Sequence, residues 1–121
     1  MKIENFEDIE AWKEARCLVR EIYSIFSYNK DFGFRDQIQR TAISVMTNIA
    51  EGFDRGTNKE FCQFLVIARG SASEVKSLAY AAFDLKYIDQ ASFESVHAKC
   101  HKLANLINGF LRYLKTSDRT R

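Results

Sequence analysis

Apolar residues recur every three or four positions along almost the whole chain, and nowhere do they alternate with polar ones over a strand's length. Four helices and no sheet are therefore expected. Ile9, Trp12, Ala15, Val19, Ile22 and Phe26 predict the first, over about residues 7–28, with Asn5 as its cap. Asn29, Asp31 and Gly33 form a breaker cluster. Phe34, Ile38, Ala42, Val45 and Ile49 predict the second over about 34–54, and Gly56 suits its end because the position after a helix often needs a positive φ. Thr57 and Glu60 have capping-box spacing. They open a third helix over about 58–87, marked by Phe61, Phe64, Ala68, Val75, Leu78, Ala82 and Leu85. Asp89 starts the last, over about 90–116, where Phe93, Val96, Cys100, Leu103, Ile107, Phe110 and Leu114 keep the spacing.

Short links between helices this long force neighbours to run antiparallel, so the expected architecture is an all-α, up-down-up-down antiparallel four-helix bundle in a single domain, residues 1–121. A second apolar edge flanks the main stripe, at Ala11, Leu18 and Ile25 in the first helix and at Ile43, Met46, Ala50 and Phe53 in the second. An arc wider than one core face suggests that another subunit covers part of it. In a hairpin of the second and third helices, facing positions should sum to about 113. Ser44 then faces Arg69 and Gly70, and Arg40 lies near Glu74 as a candidate ion pair. Gly70 inside a helix costs about 1 kcal/mol relative to alanine, so the sequence predicts a close backbone approach there. Asp36–Arg40 and Glu51–Arg55 are i,i+4 pairs in the favourable order.

Composition changes this picture little. The 121 residues suit one core, and the absence of proline favours uninterrupted helices. No apolar run is long enough to span a membrane, and the first residues carry acids rather than a secretory pattern, so a cytoplasmic protein is expected. Cys17, Cys62 and Cys100 are odd in number and widely spaced, and each is expected to be a small buried hydrophobe. The net charge of +2 is too small to announce a nucleic-acid binder. Its distribution is uneven: residues 1–14 sum to −3, with Lys2 and Lys13 as their only bases. Residues 95–121, with Lys99, Lys102, Arg112, Lys115, Arg119 and Arg121, sum to +5. Complementing helix dipoles explains this more simply than phosphate contact does.

QIQRTAISVMTNIAEGFDRG followed by EFCQFLVIARGSASE resembles the signature of the four-helix-bundle proteins encoded in intervening sequences of bacterial 23S rRNA genes. The FEDIEAWKEA opening, Tyr23 and DFGFRDQI extend the likeness over nearly the whole chain. The resemblance implies a ring-shaped homopentamer. It also implies kinship with the accessory variability determinant proteins of diversity-generating retroelements, basic barrels that associate with a reverse transcriptase and nucleic acid. The signature positions are Gln37, Arg40, Ser44, Asn48, Glu51, Gly52, Arg55, Gly70, Ser71 and Glu74, whose family role reads as packing and assembly. Met46 stands where the family commonly has proline, which weakens the kink expected in the second helix.

Chemistry is sparse. Glu94, His97 and His101 share one face of the fourth helix, a weak metal candidate without further ligands at paired spacing. Phosphate-cradling glycine loops and a Ser-His-Asp arrangement are lacking, so no cofactor, no small-molecule substrate and no catalysis are expected. Phe32, Phe34, Phe53, Phe61 and Phe64 fit packing better than base stacking. The leading expectation is a non-enzymatic homo-oligomer, a pentamer by resemblance. The alternative is an RNA or DNA binder acting through Arg16, Arg20, Lys99, Lys102, Arg112 and Lys115, which a ring would multiply.

Overall fold

The computed structural model describes residues 3–117. Within it lie a short 3-10 turn (Phe6–Asp8) and four helices: α1 (Glu10–Phe26), α2 (Phe32–Asp54), α3 (Asn58–Asp84) and α4 (Gln90–Thr116). Each end has a local cause. Asn5 precedes the 3-10 turn without a side-chain cap bond, so α1 starts three residues later than the periodicity suggests. Asp31 starts α2 two residues early, because its carboxylate accepts from the Phe34 N–H. Thr57 caps α3 as expected, its hydroxyl oxygen accepting from the Glu60 N–H at 3.2 Å, and Gly56 takes the positive φ of 96°. Asp89 caps α4 through the Ser92 N–H.

The pattern also misplaces the stop of α3, which comes at Asp84 rather than about residue 87. The Lys86 N–H bonds Phe83 O and the Tyr87 N–H bonds Ala82 O. These two bonds close a Schellman turn with Lys86 at φ 64°. Lysine occupies a position that favours glycine, so composition gives no stop signal there. Met46 continues α2 without a break, in keeping with the missing proline.

Side-chain pairs between helices give the direction of travel. Thr41 meets Glu74 and Ser44 meets Ser71, so α2 and α3 are antiparallel. Arg69 meets Asn108 while Tyr80 meets Phe93, so α3 and α4 are too. Glu14 meets Lys102 and Glu21 meets Lys99, which sets α4 against α1. It follows that α1 opposes α2, as in the expected topology. Each helix touches its two sequence or cyclic neighbours and not the helix diagonally opposite, so the four stand at the corners of a square.

The core is aliphatic and alanine-rich: Ala11, Ala15, Leu18 and Ile22 of α1 meet Ile38, Ala42, Val45 and Ile49 of α2. Leu65, Ala72 and Ala79 of α3 belong to it as well, although the sequence stripe passed over them. The apolar second edge of α1 is accounted for inside the chain. Ala11 and Leu18 are fully buried and Ile25 packs on the core, because a corner helix must serve two neighbours. On α2, Met46 and Phe53 likewise pack on the core and Ile43 and Ala50 are half-buried. Cysteine burial departs from expectation at Cys17, which is exposed one position off the core stripe. Cys62 is partly covered and Cys100 buried.

Candidate functional site

Most signature residues fall on the seam between α2 and α3. Gln37, Thr41, Ser44, Asn48, Glu51 and Arg55 follow one another at alternating four- and three-residue steps, the spacing that keeps a stripe facing one neighbour. Ser44 and Ser71 share a hydrogen bond of 3.0 Å between hydroxyls. The Asn48 amide donates to Ser44 O at 2.8 Å and to Ser44 Oγ at 3.0 Å. Glu51 accepts from Arg55 at 2.9 Å, as its spacing predicts, and the Arg55 guanidinium lies 4.9 Å from the Phe64 ring centre. The stripe thus ties the two helices through short polar groups, which pack where larger side chains would hold them apart.

Close approach of backbones occurs at Gly52, not at Gly70. A Cβ on Gly52 would stand 2.5 Å from Phe64 Cβ and 3.0 Å from a Phe61 ring carbon. A Cβ on Gly70 would meet nothing within 4 Å, since that residue is on the exposed face of α3. The expected register is also shifted by about two residues: Ser44 faces Ser71 rather than Arg69 and Gly70, and Glu74 accepts from the Thr41 hydroxyl at 3.4 Å rather than pairing with Arg40. Asp36 pairs with Arg35, at 3.6 Å, instead of Arg40. Beyond these contacts the seam also bounds a surface depression. It is an open groove of about 500 Å³ lined by Asp36, Gln37, Arg40, Thr41, Ser71 and Glu74.

The other candidate sets do not converge. Lys99 Nζ lies 3.0 Å from Glu21 Oε1 and Lys102 Nζ 3.2 Å from Glu14 Oε1, so both lysines clamp α4 to α1. Lys99 also donates to Ser95 Oγ at 3.2 Å. Arg16 lies over the Trp12 ring at 5.9 Å, and Arg20, Arg112 and Lys115 are exposed. Lys115 is about 24 Å along α4 from Lys99, so the six cations form no single patch. Arg119 and Arg121 of the basic tail, like Lys2, lie outside the described residues. Glu94 bonds Gln90 on its own helix, and His97 packs edge-on against Tyr80 and beside Phe93. Among the described residues no three ligating side chains gather.

Of the aromatic group, Phe61 packs edge-on with Phe53 and Phe110, and Phe34 lies tilted against Phe26 and edge-on to Tyr87. Phe32 is exposed beneath Arg35. Burial pushes the Cys100 thiol up to about 12, a nearby Lys76 offsetting this only in part, so it stays protonated and a poor nucleophile. What the sequence reading missed is the apolar exterior of α3, where Val66 and Ile67 are 46% and 51% exposed. Two adjacent β-branched residues facing out of a helix were the available signal.

A helical chain whose signature lines one hairpin seam matches the family model for the 23S rRNA-intervening sequence protein over residues 7–109. The chain belongs to that family. Its fold is similar to a crystal structure from Bacteroides thetaiotaomicron, described as a protein with unknown function from the S23 ribosomal protein family. The two share 21% identity and a TM-score of 0.78, covering 84% of this chain and 97% of that one. No curated protein matches the chain. Among the described residues, no helix is long and apolar enough to cross a membrane.

Proposed function

We propose that this protein is a non-enzymatic, self-assembling bundle, a homo-oligomer whose ring of five copies follows from the family likeness. The observation that carries the reading is the exterior of α3. Val66, Ile67, Gly70, Ser73 and Ser77 make a largely apolar or small outer face, with Gln63 and Glu74 as the longer polar side chains on it, where a solvent-facing helix of a monomer would present more charge. Val66 and Ile67 are already about half covered, so burying the remainder would contribute roughly half of the full-burial value, about 1 kcal/mol each. The seam chemistry supports a mechanical role, since its hydroxyls and amide bond one another. Native mass spectrometry of the full chain tests the proposal: assemblies of several copies are expected, and a single-chain species alone would refute it.

A nucleic-acid role through the ring exterior is the second reading. It is favoured by the exposure of Arg20, Arg112 and Lys115 and weakened by the pairing of Lys99 and Lys102 with α1 carboxylates. Retention of a mixed RNA pool that falls steeply with salt would support it. Retention that is absent at low salt would dismiss it.

A further inference from the structure

We propose that the groove between α3 and α4 binds a phosphate-bearing nucleotide, free or within a single strand. This rests on the nucleic-acid reading and replaces its scattered cations with one site. The groove holds about 460 Å³, within the range of small-ligand sites. Ala72, Cys100 and Ala104 form a floor of small side chains, and Arg69, Ser73 and Lys76 supply the polar groups. Among the described residues neither cation is paired with a carboxylate. Arg69 is steadied by Asn108, to which it donates at 2.8 Å with one of its five N–H groups. Lys76 lines the groove closely enough for its charge to act on the Cys100 thiol.

A carboxylate would cancel this field, and none lines the groove. From Ser95 to Thr116, α4 carries no acidic residue. Glu74 turns to Thr41 on the α2 side of α3, and Glu21, whose charge also reaches Cys100, is taken up by Lys99. Two uncompensated cations over small side chains offer a phosphate group opposite charge, N–H donors and room to approach. Tyr80 adds the means to hold a base. It follows Lys76 by one turn, is 49% exposed, and has its ring fixed edge-on against Phe93 at 4.8 Å and His97 at 5.8 Å. A fixed, half-exposed ring beside cations is a stacking platform. Charge then sets the orientation, since Asp84 and Glu94 come only beyond Tyr80: phosphate sits at Arg69 and Lys76, the base at Tyr80. The rise from Lys76 to Tyr80 is about 6 Å, a span that one nucleotide covers. Val66, Gly70 and Ser73 lie both on the rim of this groove and on the outer face of α3, so a strand and a second copy compete for them.

Fluorescence anisotropy of a labelled ten-nucleotide oligoadenylate with the full chain, from low salt upward, tests the site. Lys76→Gln is expected to weaken binding about tenfold and to lower the salt slope by about one. Tyr80→Leu should weaken it about tenfold with the slope kept, and Lys30→Gln, exposed between α1 and α2, should change neither. ADP is titrated alongside by calorimetry. If it binds and displaces the oligoadenylate, the groove recognises a free nucleotide; if the oligoadenylate alone binds, it recognises a strand. Circular dichroism melting and light-scattering mass are followed on every variant, and binding lost only where fold or mass has changed overturns the site. Binding that ignores Lys76→Gln and Tyr80→Leu but falls with Arg20→Gln or Lys115→Gln overturns the groove while nucleic-acid binding stands. Neither probe binding at low salt overturns both.

Discussion

Near the tip of the α2–α3 hairpin two helices touch with no room for a methyl group, whereas about 10 Å along the same pair a glycine faces open space. Gly52 permits the first: Phe61 and Phe64 press onto it from α3. Gly70 is on the outer side of α3 and has no such neighbour. The residue type is the same and the helical setting is the same, so the reason for each glycine is in what faces it. At the tip it is internal packing. At Gly70 nothing within the chain explains it, which directs attention to what lies outside.

The contrast is broken most forcefully at Phe61, which is buried and edge-packed with Phe53 and Phe110. Phe61→Ala is expected to cost about 3–5 kcal/mol in chemical denaturation, and a loss below about 1 kcal/mol would mean that the tip is not an anchor. Gly52→Ala should cost a net 1–3 kcal/mol or so through overpacking, even though alanine favours helix by about 1 kcal/mol. A neutral result would show that the helices separate easily.

A Lys86→Gly variant relieves the left-handed residue that ends α3 and should stabilise by about 1 kcal/mol in the same denaturation assay. Gly70→Ala sharpens the comparison from the other side. In the dissociated chain it should gain about 0.4–1 kcal/mol, and a loss confined to the assembled form would place a partner's backbone against it.

The smallest effect is electrostatic. The Tyr87 hydroxyl, at 2.7 Å, and then the Phe34 N–H hold the Asp31 carboxyl below its usual range. A depressed carboxylate adds stability that is present above its unfolded pKa and fades as pH falls through the folded one. Asp31→Asn should therefore lose that increment at neutral pH, with little change at the acid end where wild type has already lost it, so the acid limb of the pH–stability curve flattens.

Helix identity and order were legible because apolar spacing reports burial directly, and the Thr57, Asp89 and Gly56 signals named their ends from chemistry alone. The α3 stop was not, since only tertiary context places Lys86 in the left-handed region. The signature positions were readable as a seam, but the pairing was shifted, because hairpin register depends on how closely Gly52 lets the helices approach. Alanines such as Ala72 and Ala79 hid from the stripe because their small size makes them ambiguous between core and surface. Conversely, Lys99 and Lys102 read as solvated cations until Glu21 and Glu14 were seen across from them.

Static light scattering of the purified full chain over a range of micromolar concentrations addresses self-assembly most directly. The account predicts a mass of several chains, five by family likeness, that persists on moderate dilution. The mass of one chain at every concentration would contradict it.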